Sequence, residues 1–248
     1  MTIEDVCAFL GQMAPEDTAE AWDNPGLLVT GRCRELSAVL VTLDVTPAAL
    51  EEAEREGAGL IVSHHPVIFD PLRRLDAEEM PYRLAAAGIA AYAAHTNLDK
   101  APGGVNDTLA ALLGLEEVAA ADDGLCRVGR LPAAMEARDF ACLVARRLGT
   151  PVRACGDGPV RFVGLCGGAG GGDPDRGDLP GGAADVSGGI PADRVRLRLL
   201  PALERSELDA DHGVEIPQGT QRNLTKAVQN LGITSPGRTY SVSRARLR

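Results

Sequence analysis

Short apolar runs alternate with amphipathic segments through the first half of this sequence. The chain opens with apolar residues at helical spacing behind Thr2, which is placed to cap a helix. Because strands that alternate with helices form parallel or mixed sheets covered by helices, the pattern predicts an α/β protein. The predicted strands are 38–43, 60–62 and 89–93, and the predicted helices are 2–10, 79–87, 105–113 and one that begins at Thr46-Pro47.

The alternation resumes after residue 126 and then ends. Residues 167–189 are rich in glycine and poor in apolar residues, which predicts a loop, and they match no phosphate-binding motif because no clear helix follows them. The remaining predictions are strands at 126–131, 160–166 and 194–199, helices at 137–148 and 225–231, and a frayed tail over 235–248.

Composition excludes several classes of partner. The chain has 25 Lys and Arg against 35 Asp and Glu, a net charge of −10, so its surface should repel a phosphate backbone and nucleic acid is not an expected partner. The six cysteines form no Cys-x-x-Cys pair, which indicates reduced thiols in a cytoplasmic protein. No apolar stretch is long enough to cross a bilayer, so a membrane partner is not expected either.

Polar residues follow two of the predicted strands directly. His64 and His65 come after the strand at 60–62, and the segment from His95 to Asp99 comes after the strand at 89–93. In sheets of this kind, ligands bind beyond the carboxyl ends of the strands. The two clusters are therefore predicted to meet at one edge of the sheet and to form a site there.

The histidine pair is compatible with two different roles. Neighbouring side chains point in different directions, so His64 and His65 suit two adjacent metal ions, with Asp99 as a carboxylate ligand that partly cancels the charge. Alternatively, the pair ends a strand by hydrogen bonding, and Asp99 caps a helix ahead of Gly103-Gly104. The residue types alone leave both readings open.

Three motifs resemble one known family. They are AWDNPGLLV at 21–29, LIVSHHP at 60–66 and AHTNLDKAPGGVND at 94–107. In this order and spacing they resemble the dinuclear metal-centre hexamer family, which is NIF-three-like and whose bacterial members are labelled GTP cyclohydrolase 1 type 2 homologues. The resemblance covers most of residues 1–115.

The resemblance implies two divalent metal ions per subunit. By it, His64 and His65 are ligands, one for each ion, and Asp99 is a further ligand; zinc, iron, manganese, cobalt and nickel all suit such a set. His95 is interpreted either as a residue that supports a metal ligand or contacts the substrate, or as a hydrogen-bonded structural histidine. Trp22, the single tryptophan, is expected to have a packing role.

The C-terminal part of the implied site departs from the family pattern. The family completes its site with a histidine and a glutamate four residues apart, and the matching candidates here, His212 and Glu215, are three apart. On a helix, that spacing still places both side chains on one face, so both are expected to be metal ligands. The alternative is that Asp211 or Glu215 is surface charge. The preceding glycine-rich run and the Arg194–Arg198 segment also differ from the family.

The resemblance also implies an organisation. It predicts a two-lobed α/β subunit with mixed sheets flanked by helices, assembled into a toroidal homohexamer. The expected segments are a metal-binding lobe at 1–126, a second α/β lobe at 127–200, a returning segment at 201–235 that completes the first lobe, and a flexible tail at 236–248.

Two functions fit these features. The first is a metal-dependent hydrolase that uses a hydroxide bridging the two ions to act on GTP, another nucleotide or another small molecule. The sequence has no P-loop or other nucleotide motif of its own. The second is a non-catalytic, metal-binding hexameric scaffold or a regulatory protein that binds a partner.

Overall fold

The computed structural model describes seven stretches of the chain. The described residues are 1–121, 124–149, 152–155, 157–168, 183–189, 194–199 and 244–246. They fall into two compact units. The first contains Met1–Gly104 and the described strand near the C-terminus, and the second contains the described residues of Val105–Gly219.

The described residues form helices and strands that alternate as an α/β protein, which confirms the predicted fold class. The helices are α1 (Ile3–Met13), α2 (Pro47–Glu56), α3 (Met80–Ala87), α4 (Thr96–Lys100), α5 (Val105–Leu113) and α6 (Ala137–Leu148), with a 3-10 helix at Glu16–Thr18. The strands are β1 (Gly26–Val29), β2 (Ala38–Thr42), β3 (Leu60–Ser63), β4 (Ala90–Ala93), β5 (Glu116–Ala120), β6 (Arg127–Glu136), β7 (Arg153–Cys155), β8 (Pro159–Cys166), β9 (Ala183–Gly189), β10 (Arg194–Leu199) and β11 (Arg244–Arg246).

A mixed sheet forms the centre of the first unit, in the order β1-β4-β3-β2-β11. Strands β2, β3 and β4 run parallel, with Val39 opposite Leu60 and Leu60 opposite Ala90. Strand β1 is antiparallel to β4, and β11 is antiparallel to β2. Every residue of β3 and β4 is buried, which is typical of parallel strands covered on both faces.

Caps at the helix ends fix where the polypeptide turns. The Thr2 hydroxyl accepts the Asp5 N–H while the Asp5 carboxylate accepts the Thr2 N–H, a reciprocal cap that begins α1. Thr46 caps α2 ahead of Pro47, and Gly57 ends this helix in the left-handed conformation. The predicted starts at Thr2 and Thr46 are therefore confirmed. Helices α2 and α3 then bury Leu50 and Leu84 in the core of this unit.

The second unit is built on another sheet, in the order β5-β6-β8-β9-β10-β7. Its first three strands are antiparallel, and Phe140 and Val144 of α6 are fully buried in its core. An extra residue between Glu116 and Ala119 bulges β5, and Glu117 adopts a positive φ of 51° there.

Several elements differ from the sequence-based expectation. Helix α5 and strand β5, which we placed in the lobe at 1–126, belong to the second unit, where α5 packs on α6 and β5 pairs with β6. Strand β9 lies inside the stretch expected to be a loop, and β11 lies inside the expected tail. The predicted helix at 225–231 and the returning segment at 201–235 lie outside the described residues.

Within the described part of the chain, no helix combines the length and apolar character that crossing a bilayer requires.

Two glycines give a matched test of this packing. A Cβ on Gly104 would overlap the backbone oxygen of Leu98, whereas a Cβ on Gly11, inside α1, would meet nothing within 4 Å beyond its chain neighbours and the nearby backbone of its own helix. We expect Gly104→Ala to lower the free energy of unfolding by about 1–3 kcal/mol, because the backbone must shift. Gly11→Ala should raise it by about 0.5–1 kcal/mol through helix propensity. Urea unfolding of both variants checks this, and equal stabilities would contradict the close approach at Gly104.

Candidate metal centre

The candidate centre lies at the carboxyl edge of the parallel strands in the first unit. Asp44 follows β2, His64 and His65 follow β3, and His95 follows β4. Backbone hydrogen bonds continue past the strand ends: the His65 N–H donates to the Leu43 carbonyl over 3.0 Å, and the Ala94 N–H donates to the Ser63 carbonyl over 2.9 Å. The chain is thus held in sheet-like pairing up to the histidines.

Three imidazoles meet at this edge. The ring centroids of His64 and His65 are 5.2 Å apart, those of His64 and His95 are 5.3 Å apart, and those of His65 and His95 are 5.7 Å apart. Each ring offers one ligand atom, and these atoms all lie within 4.8 Å of one another. The predicted convergence of the two clusters is confirmed. That spacing allows the nitrogens to share one ion or to divide between two neighbouring ions.

One nitrogen of each ring is already held by an oxygen acceptor. The Nδ1 of His64 is 2.8 Å from the Ala94 carbonyl oxygen, that of His65 is 2.6 Å from Asp44 Oδ1, and that of His95 is 2.7 Å from Asp23 Oδ1. Since these oxygens only accept, each Nδ1 donates and each Nε2 keeps a lone pair. This is the arrangement by which proteins orient imidazoles toward a metal.

The carboxylates behind the rings are held in the charged form. Burial by itself would raise the pKa of Asp23, but hydrogen bonds from His95 and Thr96 outweigh it and lower the pKa to about 2. Both the backbone N–H and the hydroxyl of Thr96 donate to Asp23 Oδ2. The hydrogen bond from His65 likewise lowers the pKa of Asp44. Both carboxylates therefore stay negative behind the imidazoles at neutral pH.

Asp99 lies beside the buried histidine. It is in α4, and its Oδ1 is 3.6 Å from His64 Nε2, which is longer than a hydrogen bond. Burial raises the pKa of Asp99 and lowers the pKa of His64, so each is disfavoured in its charged form. A cation in contact with both groups would offset the cost of the buried carboxylate. The buried imidazoles and the carboxylate together fit a divalent metal ion of the zinc or iron type.

The structure brings together only part of the predicted site. His64, His65 and Asp99 lie at one edge, and His95, whose role the sequence left open, belongs to the same group of donors. His212 and Glu215 lie outside the described residues, so their participation stays a prediction. Trp22, for which a packing role was expected, contacts the rings of Phe69 and His95 and leaves 59% of its surface exposed.

Two residues of the site were missed by the sequence analysis. Asp44 lies two residues after the end of β2, so the rule that identified the histidines could have found it. Asp23 lies in the loop before β1, and nothing in the local pattern places it near His95. Its contact depends on the antiparallel pairing of β1 with β4.

Fold and site together define an α/β protein with a candidate three-histidine metal centre at the carboxyl edge of a mixed sheet. The family model of Duf34/NIF3 (NGG1p interacting factor 3) matches residues 1–175, and the chain belongs to this family.

Relatives and solved structures agree with this assignment. A Lactococcus lactis protein named GTP cyclohydrolase 1 type 2 homolog is 41% identical over 137 residues, which are 53% of this chain and 53% of the relative. The match thus spans about half the length of that curated relative. The crystal structure of a hypothetical protein of Staphylococcus aureus is 28% identical, with a TM-score of 0.63 over 69% of this chain and 73% of that one. A Bacillus cereus protein related to NIF3 shares the fold, with 19% identity, a TM-score of 0.66 and coverage of 96% and 98%.

The Asp23 pair predicts a pH dependence in metal-free protein. Because the pKa of Asp23 falls from 3.8 to about 2 on folding, its contribution to stability is present above pH 3.8 and is lost as the pH falls toward 2. We expect the stability difference between wild type and Asp23→Asn to shrink over this interval. Urea unfolding in the presence of a chelator measures it, with Asp17→Asn, an exposed site, as the control. A difference that stays constant down to pH 2 would contradict the pairing.

Proposed function

We propose that this protein binds divalent metal at the candidate centre and uses it for hydrolysis. The observation that supports the proposal is the meeting of three imidazoles, each of which holds its Nδ1 against an oxygen acceptor. His64, His65 and His95 would supply nitrogen donors, and Asp99 would supply an oxygen donor. His212 and Glu215 are proposed to complete a centre for two ions per subunit.

The residues around the donors would have separate tasks. Asp44 and Asp23 fix the tautomers and the orientations of His65 and His95. The buried Asp99 would supply an oxygen ligand beside His64, and a bound cation would favour its charged form. When bound, divalent ions would supply Lewis-acid polarisation of the scissile bond and activation of water.

The proposed substrate is a nucleotide or a related heterocyclic compound. The Lactococcus lactis relative is named a GTP cyclohydrolase 1 type 2 homolog, and the name suggests GTP as the first compound to test. Because the match covers about half of that relative, and because names transfer poorly between sites, the substrate is a proposal for this chain. Assembly as a toroidal homohexamer and a cytoplasmic location are likewise proposals, which rest on family membership and composition.

Metal affinity tests the role of Asp44, the carboxylate that holds His65. We expect Asp44→Asn to weaken zinc binding about 10- to 100-fold, because His65 loses the partner that orients it. Asp17→Asn, an exposed change in the same unit, should leave the affinity unchanged. Calorimetric titration of zinc into chelator-treated protein measures both variants. The same preparations, assayed with GTP, should release product in proportion to bound metal.

Two results would count against this proposal. If a His64→Ala and His95→Ala double variant kept the wild-type zinc affinity, these histidines would not form the metal site. If fully metal-loaded protein turned over neither GTP nor any other phosphorylated or heterocyclic compound, the hydrolase function would be rejected and the non-catalytic scaffold favoured.

The C-terminal motif predicts unequal effects on the two ions. Glu215→Gln should lower the occupancy of both, since it removes the shared charge that offsets their mutual repulsion, whereas His212→Ala should empty mainly one. Elemental analysis of the two purified variants counts the ions. If both keep the wild-type complement, the motif is not a ligand set in this protein.

A further inference from the structure

An exposed aromatic pair borders the histidine cluster and has no task in the proposed metal chemistry. Trp22 and Phe69 are 59% and 46% exposed, and their ring centroids are 5.9 Å apart with the planes inclined at 45°. A tryptophan is one of the most costly side chains to leave in water, and adjoining exposed apolar groups beside a functional site mark a contact surface.

The two residues that follow Trp22 anchor the loop that carries it. Asp23, the next residue, binds His95 and Thr96 through its carboxylate. Asn24 donates its side-chain N–H to the Ile68 carbonyl over 2.7 Å, which ties the loop to the residue preceding Phe69. The exposed position of Trp22 is therefore fixed by its neighbours and is not the result of a loose loop.

Both aromatic rings also lie against the metal-site histidine. The Trp22 centroid is 6.2 Å from that of His95 at an interplanar angle of 75°, and the Phe69 centroid is 6.3 Å from it at 82°. A flat ring stacked on this aromatic pair would therefore lie close to His95. Heteroaromatic bases stack favourably on exposed aromatic side chains of this kind.

Charge also favours recognition through the base. With a net charge of −10, the protein offers no general attraction to a phosphorylated compound. Affinity for a nucleotide must then come from the local site, through bound metal and through contact with the ring system.

We propose that Trp22 is the stacking platform for the heteroaromatic base of the substrate, supported by Phe69 and placed so that the base faces the His64, His65 and His95 cluster. The inference rests on the proposed function and names the part of the substrate that the site recognises. It assigns Trp22 and Phe69 to substrate specificity and leaves metal binding to the histidines.

Because Trp22 is the only tryptophan, its fluorescence reports on the platform directly. Zinc-loaded protein of measured metal content is titrated with guanosine monophosphate and with ribose 5-phosphate, which carries the same sugar and phosphate without the base. We expect saturable quenching by guanosine monophosphate and none by ribose 5-phosphate. Phe69→Ala should shift the quenching midpoint upward several-fold, whereas Tyr82→Ala, which removes another exposed aromatic ring, should not.

Calorimetry extends the test to the platform itself. Trp22→Ala should bind guanosine monophosphate about 5- to 100-fold more weakly, and Trp22→Phe should retain most of the affinity. Both variants should keep the wild-type zinc content.

The outcomes separate this inference from the proposed function. Equal binding of the two probes, or wild-type affinity in Trp22→Ala, would overturn the platform while metal binding stands. Emission that changes with protein concentration and not with the nucleotide would assign the aromatic pair to contact between copies of the chain, and would also overturn it. If the protein bound no zinc but guanosine monophosphate still quenched its fluorescence, the stacking platform would be supported and the proposed metal site would be rejected.

Discussion

The site depends on the parallel pairing of β2, β3 and β4. Three neighbouring strands that run parallel end at the same edge of the sheet. The residues that follow them are therefore brought together from distant parts of the chain. Asp44, His64 and His95 come from three separate loops, yet the sheet fixes their starting points. The hydrogen bonds that continue the pairing past β3 and β4 extend this control as far as the imidazoles.

Electrostatics then specify what the edge can bind. Each imidazole is held in the tautomer that leaves Nε2 with a lone pair, and Asp23 and Asp44 remain charged behind two of them. At the third imidazole, His64, burial has the larger effect. It disfavours the imidazolium form of His64 and the carboxylate form of the neighbouring Asp99. The three imidazoles and Asp99 together therefore favour a bound cation over water.

Sequence patterns predicted the fold class and the meeting of the two clusters, because strand ends and helix caps are local signals. These signals placed His64, His65 and Asp99 close together, and their role as metal ligands stays a prediction. Contacts made through tertiary structure were less accessible: Asp23 reaches His95 from a loop that carries no periodic pattern. Strand β9 shows the same limit, since its sequence AADVSGG lacks apolar alternation and its conformation comes from pairing with β8 and β10. The division of the chain also depends on packing, because α5 follows the first sheet in sequence and packs with α6.

Among the described strands, β5 lies at the end of its sheet, and all five of its residues are exposed. An open strand edge is a template for pairing with another chain, and here the bulge at Glu117 breaks the regular spacing of the backbone donors and acceptors. Glu116 and Glu117 add negative charge, which Arg130 on the neighbouring strand holds in place by ion pairs. Two such edges would repel each other and fail to match in register. These features disfavour fibre-like growth by edge-to-edge pairing of two copies through β5.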